Sequence, residues 1–148
     1  MEKLKEECHI SNARLGENLL IEFDIRMEGK VLELWTNAPM GGKINAWVSF
    51  YGDDAQLGDE FLLAFDYPMK LSNPGTEFLE ERAQIPFQGP AAIPGKPFIL
   101  DEDKKGRDEV YAIFYLTMTF KTSEGFEVDA VISDLVRTNT LKKELKVG

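Results

Sequence analysis

The alternation of apolar and polar positions along this chain has a period of two almost throughout. Val110, Ala112, Phe114, Leu116, Met118 and Phe120 fall on one face of an extended strand, and Tyr111, Ile113, Tyr115, Thr117 and Thr119 on the other. Aromatic and β-branched residues suit a pleated, mostly buried surface. Glu124-Gly125 supplies a reversal, since Gly takes positive φ at no steric cost. The return stretch, residues 126–136, starts with the same alternation, so residues 108–137 predict a long β-hairpin on which the rest of the chain packs. A second clear strand sets Leu19, Ile21, Phe23, Ile25 and Met27 against Glu22, Asp24 and Arg26, one face toward a core and one toward water. Residues 8–15 predict a first strand ended by Gly16, and Glu28-Gly29 predicts a turn into a strand over residues 31–35, a second hairpin. Ile44, Ala46, Val48 and Phe50 alternate with Asn45, Trp47, Ser49 and Tyr51 in another strand, and FLLAF, residues 61–65, reads as a short buried one.

Between residues 68 and 97 the pattern changes, because six of the seven prolines lie there and exclude regular central strands from most of it. Residues 76–82 have helical leanings of up to two turns after a Thr cap, residues 83–87 suit an edge strand, and residues 89–97 an ordered irregular loop. A short strand over 98–100 leads to the long hairpin, and residues 139–148 suit a short docking helix or a frayed strand. Turn signals about every ten residues with almost no helix predict an all-β domain spanning residues 1–148. The expected architecture is an antiparallel β-sandwich of seven to nine strands with an irregular Pro-rich connection, and a β-barrel is the alternative.

Composition narrows the chemistry. A chain of 148 residues with 43% hydrophobic residues can build one core. No apolar run reaches the ~20 residues that cross a bilayer, and the opening MEKLKEEC lacks the apolar stretch of a secretory signal. With Cys8 the only cysteine, a reducing, cytoplasmic location is the default expectation for a soluble chain. A net charge of −9 argues against nucleic acid as partner. His9 is the only histidine, and in a strand it points away from its neighbour Cys8, so the two do not form a Cys–His catalytic pair. Gly41-Gly42-Lys43 lacks both the earlier Gly and the following Ser or Thr of a phosphate loop. These features make an enzyme the less favoured reading; a hydrolase using paired carboxylates ranks last because no spacing selects a pair.

Two acidic loops, residues 52–60 and 101–109, gather the oxygen ligands that calcium needs. Asp101, Asp103 and Gly106 match three positions of a helix–loop–helix calcium loop, but Ala112 stands where that motif needs a bidentate Glu. Asp53 and Asp59, six apart, with Asp101, Asp103 and Glu109, resemble the loops of the calcium-dependent phospholipid-binding domain first defined in protein kinase C. Asn73-Pro74 is similar to that family's Asn-Pro step, whereas Glu60-Phe61 after Asp59, and Glu109 in place of Asp, depart from it. The resemblance implies an eight-stranded sandwich holding Ca2+ through Asp53, Asp59, Asp101, Asp103 and Glu109. Without it, the same residues read as solvated turns.

Trp35, Trp47 and Tyr51 lie on strand faces opposite Leu32 and Leu34 or Ile44 and Val48, with Tyr111 and Tyr115 in a similar position on the long strand. Facing outward they would form a contact patch for a protein or a glycan; facing inward they are core. The expectation carried forward is a non-enzymatic protein-interaction module without a cofactor. It is expected to self-associate as a homodimer through a sheet face, with residues 38–42 and 89–97 as further contacts. A calcium-binding sandwich is the second reading, and a carbohydrate-binding one using Trp35, Trp47 and Tyr51 the third.

Overall fold

The computed structural model of the chain describes residues 2–37, 43–52, 60–71, 78–88, 98–99, 108–122, 124–143 and 146–147. Its strands are β1 (Cys8–Leu15), β2 (Ile21–Glu28), β3 (Lys43–Gly52), β4 (Glu60–Pro68), β5 (Phe78–Ile85), β6 (Phe98–Ile99), β7 (Asp108–Lys121), β8 (Glu127–Val131), β9 (Val136–Arg137), β10 (Leu141–Lys143) and β11 (Lys146–Val147). One antiparallel sheet runs β1-β2-β5. The other runs β10-β7-β3-β4, with β8 and β9 also on β7. The fold is an all-β antiparallel sandwich, and among the described residues these two sheets do not join into a closed barrel.

The predicted alternation sets the core. Ile21, Phe23, Ile25 and Met27 of β2 face Val110, Ala112, Phe114, Leu116, Met118 and Phe120 of β7, and all of them are buried. The rings of Phe23 and Phe114 meet across the sheets with centroids 5.0 Å apart. Strand β7 organises the larger sheet as the sequence predicts: one edge pairs along its length with β3, and the other takes β8, β9 and β10 in succession. Where that second row is interrupted, buried hydroxyls fill in. Ser133 Oγ accepts from Leu116 N–H at 2.8 Å, and Thr138 Oγ1 accepts from Ala112 N–H at 3.0 Å. Each hydroxyl then donates to the carbonyl of the following residue, Asp134 or Asn139. Loss of either hydroxyl would strand a buried amide.

Two hairpins use the same turn. Gly125 N–H donates to Thr122 C=O at 2.9 Å, as Leu19 N–H does to Gly16 C=O at 2.9 Å. The left-handed position holds Gly125 (φ +88°) in one and Leu19 (φ +60°) in the other. A leucine there is strained by about 1–2 kcal/mol, and burial of its side chain offsets that cost.

Several expectations need correction. Residues 31–35 are not a strand: Gly29–Asn37 is a helix, α1, packed against β2, β5 and β7. Gly29 takes positive φ as expected (+58°), but the chain enters a helix whose Lys30 N–H donates to the Glu7 carboxylate. Val31, Leu32, Leu34 and Trp35 are spaced as one helical face as well as they are on two strand faces, and a run this short does not distinguish the two. Of the stretch 76–82 predicted as helical turns, residues 78–82 are instead part of β5, and 76 and 77 lie outside the described residues. There Leu79, Ala83 and Ile85 are buried, and pairing with β2 along all eight residues outweighs local helix propensity. The FLLAF run is an edge strand rather than a buried one, with Phe61, Ala64 and Asp66 exposed. The end of the chain resolves to the strand alternative, since β10 pairs with β7 and β11 with β6. Residues 89–97 lie outside the described residues.

Candidate functional site

Register places the outward side chains of the larger sheet in rows. Lys43, Asn45, Trp47, Ser49 and Tyr51 of β3 stand opposite Thr119, Thr117, Tyr115, Ile113 and Tyr111 of β7. On the other side Asn45, Trp47, Ser49 and Tyr51 stand opposite Pro68, Asp66, Ala64 and Phe61 of β4. Trp47 is 41% exposed, Phe61 57% and Val131, opposite Thr117, 44%. Of the charged side chains of this face, Lys43, Asp66 and Asp129 stand at its end or on its flanking strands and Arg137 reaches over Tyr111, and from Asn45 to Tyr51 and from Tyr111 to Thr117 the outward side chains of β3 and β7 are uncharged.

The aromatics hold one another in place. Tyr51 stacks on Tyr111 with centroids 5.6 Å apart, while Phe61 meets Tyr51 edge-on at 5.8 Å. The Arg137 guanidinium lies 3.7 Å from the centre of the Tyr111 ring, a cation–π contact. Covered in this way, Tyr111 is buried although it points to the outer side. The Trp47 indole N–H donates to Thr117 Oγ1 at 2.8 Å, which fixes the ring against the sheet. The result is a rigid, partly apolar platform with few charges, suited to contact with another protein surface.

Of the residues singled out from sequence, Trp47 and Tyr51 share this face, four positions apart, or about 13 Å along the strand. Trp35 does not share it. It lies on α1, half-buried against the core. Sequence reasoning missed Phe61, Val131 and Arg137 as parts of the platform. An all-apolar run hid which side of β4 faces out, and Arg137 joins through a non-local stack that no local pattern encodes. Glu109 is the second residue of β7, two before Tyr111. Asp53, Asp59, Asp101 and Asp103, with Asn73-Pro74 and residues 38–42, lie outside the described residues. Among the described residues no group of three or more His, Cys, Asp or Glu side chains is placed to hold a metal ion.

Cys8 and His9 point to opposite faces, as expected from adjacent strand residues. The Cys8 side chain enters the core, where burial pushes its thiol up to about 12. His9 faces outward, with Nε2 3.4 Å from Glu28 Oε1. No helix among the described residues is long and apolar enough to cross a membrane. Comparison with family models, with curated proteins and with solved structures finds no match for this chain.

Proposed function

We propose that this chain is a non-enzymatic protein-interaction module that self-associates through the outer face of its larger sheet. The observation that carries the reading is the charge-poor aromatic centre of that face, built around Trp47, Tyr51, Tyr115 and Phe61. Aromatic anchors in the middle of a contact patch supply most of the binding energy in protein interfaces, and charged residues are depleted there. A second copy is the partner this face suits, because an isologous contact sets the same patch against itself. With little charge at the centre, the net −9 of each chain does not concentrate where two copies would meet.

Sedimentation velocity over a range of concentrations tests the proposal. The chain is expected to move from monomer to dimer as concentration rises. Trp47→Glu, which places a carboxylate in the middle of the patch, is expected to weaken the dimer at least about ten-fold, or 1.4 kcal/mol, with the far-ultraviolet circular dichroism of the fold unchanged. A monomer at every concentration up to about a millimolar would overturn the reading, since a contact that weak is worth only about 4 kcal/mol.

A further inference from the structure

The outer face of the larger sheet carries its charges in a pattern that fixes how a second copy fits it. Outward side chains form rows across the strands, and the two flanks of the uncharged band differ in sign. In the row of Lys43 the β3–β4 flank is basic: Lys43 opens β3, and Lys70 is exposed two residues past the end of β4. The same row runs through Thr119 to Asp129 of β8, so the opposite flank is acidic. Asp129 also accepts from the Thr119 hydroxyl, which holds its carboxylate toward the row. One row outside it, Lys121 and Glu127 stand opposite each other.

Two rows the other way, at Trp47, the signs are reversed. Asp66 of β4 stands opposite Trp47 and is exposed. The cation on the other flank is Arg137 of β9, opposite Ile113 in the next row. Its guanidinium lies 3.7 Å from the centre of the Tyr111 ring, so its charge is presented on this same face.

Two copies that meet through one face are related by a two-fold axis lying in the plane of contact. Sheets packed face to face in the aligned manner keep their strands within about 30° of each other, so the axis runs either along the strands or across them. An axis along the strands keeps the rows and exchanges the flanks. An axis across the strands keeps the flanks and exchanges the rows.

The charges separate the two. An axis along the seam between β3 and β7 sets Lys43 and Lys70 of one copy beside Asp129 of the other, and Asp66 beside Arg137. Each contact occurs twice, and unlike charges meet at all of them. An axis across the strands near the Trp47 row brings Asp66 to the Asp66 of the other copy and sets Lys43 against the aromatic row of Tyr51 and Phe61. Like charges placed together in a contact exclude that arrangement more than they weaken the correct one. The seam is also the midline of the uncharged band, and an axis there lays Trp47 of one copy on Tyr115 of the other. We propose that the dimer is built on this seam axis, with the β4 flank of each copy over the β8–β9 flank of the other. The inference rests on self-association through this face.

Sedimentation velocity on single and mixed variants of the full chain tests the axis. Lys43→Glu and Asp129→Lys are each expected to weaken the homodimer about ten-fold, because each sets two like pairs across the contact. Asp129→Lys does so although it makes each chain two charges less negative than −9, a change that would strengthen a dimer answering only to net repulsion. An equimolar mixture of the two variants is expected to associate as tightly as the parent, since the heterodimer has an unlike pair at both places. Asp66→Ser is expected to weaken the dimer several-fold on the seam axis and to tighten it on the axis across the strands. A mixture no tighter than its homodimers, an Asp129→Lys variant that is not weakened, or tighter association of Asp66→Ser would each overturn the seam axis and leave the dimer standing. A parent that stays monomeric would overturn self-association and the axis with it, so the parent alone tells the two failures apart.

Discussion

The two outer faces of the sandwich come from the same kind of sequence, strands alternating apolar and polar, and end up chemically opposite. On the three-stranded sheet, Arg82 of β5 reaches Asp24 Oδ1 at 3.1 Å and Glu22 Oε2 at 3.7 Å on β2. Arg26 of β2 reaches Glu28 and Glu80, each at 3.5 Å. Asn12, at the β1 bulge, donates to Asp24 at 2.7 Å and offers its carbonyl to Arg82 at 3.2 Å. On the larger sheet the matching positions are Trp47, Ser49, Tyr51, Ile113, Tyr115 and Thr117. Exposed ion pairs add little stability each, so the charged ladder matters more for what it prevents. A face whose charges are already satisfied has nothing to gain from an apolar partner and would lose solvation by meeting one. The aromatic face has no such restraint. The contrast suits one face to water and is what the proposed association through the other rests on.

The largest expected effect outside the association itself comes from reversing the centre of the charged ladder. Arg82→Glu removes two ion pairs and places a third carboxylate beside Glu22 and Asp24. It is expected to lower stability by about 2 kcal/mol, read from a urea or thermal melt, with the dimer constant unchanged. If the variant instead abolished association, the charged face would belong to the interface and the comparison would fail. A smaller effect is expected on the other side. Phe61→Ser alters a ring that is 57% exposed on an edge strand, so its stability cost should stay within about 1 kcal/mol. The dimer should nevertheless weaken several-fold, because the ring extends the platform through its edge-on contact with Tyr51. A loss of stability with no change in association would make Phe61 a packing residue of the monomer.

How much of this was legible in the sequence depends on the range of the interaction involved. The β2 and β7 core faces were readable because alternation is a local property and both faces are buried along their length. The charged ladder was half readable: the acids and Arg26 on β2 stood out, but Arg82 sat in a stretch with helical leanings, and only pairing with β2 turns it toward Asp24. The aromatic platform was readable at Trp47 and Tyr51, whose strand was placed correctly, and not at Trp35, whose short apolar run fits two periodicities. The Ser133 and Thr138 hydroxyls and the Asn139 carboxamide carried no signal at all. Each acts on a backbone group 17, 26 or 124 residues away, and polar residues between strands look like any turn.

The smallest effect sharpens the comparison through pH. The carboxyl of Asp24 is held below its usual value by the hydrogen bond from the Asn12 carboxamide and then by that from the Arg82 guanidinium. Its folded value therefore lies below the unfolded one of about 3.9. The stability it contributes is fully present above that unfolded value and is lost as pH falls through the folded one. Asp24→Asn removes this titration, so the variant is expected to be slightly less stable than the parent at neutral pH. Its melting temperature should fall less steeply between about pH 5 and pH 3, and the two curves should converge at the acid end. Identical slopes would mean that the ladder titrates as ordinary solvated side chains. The dimer constant at neutral pH carries the separate answer: it should be the same in parent and variant, because Asp24 lies on the face turned away from Trp47, and a difference would show that the two faces are coupled through the core between them.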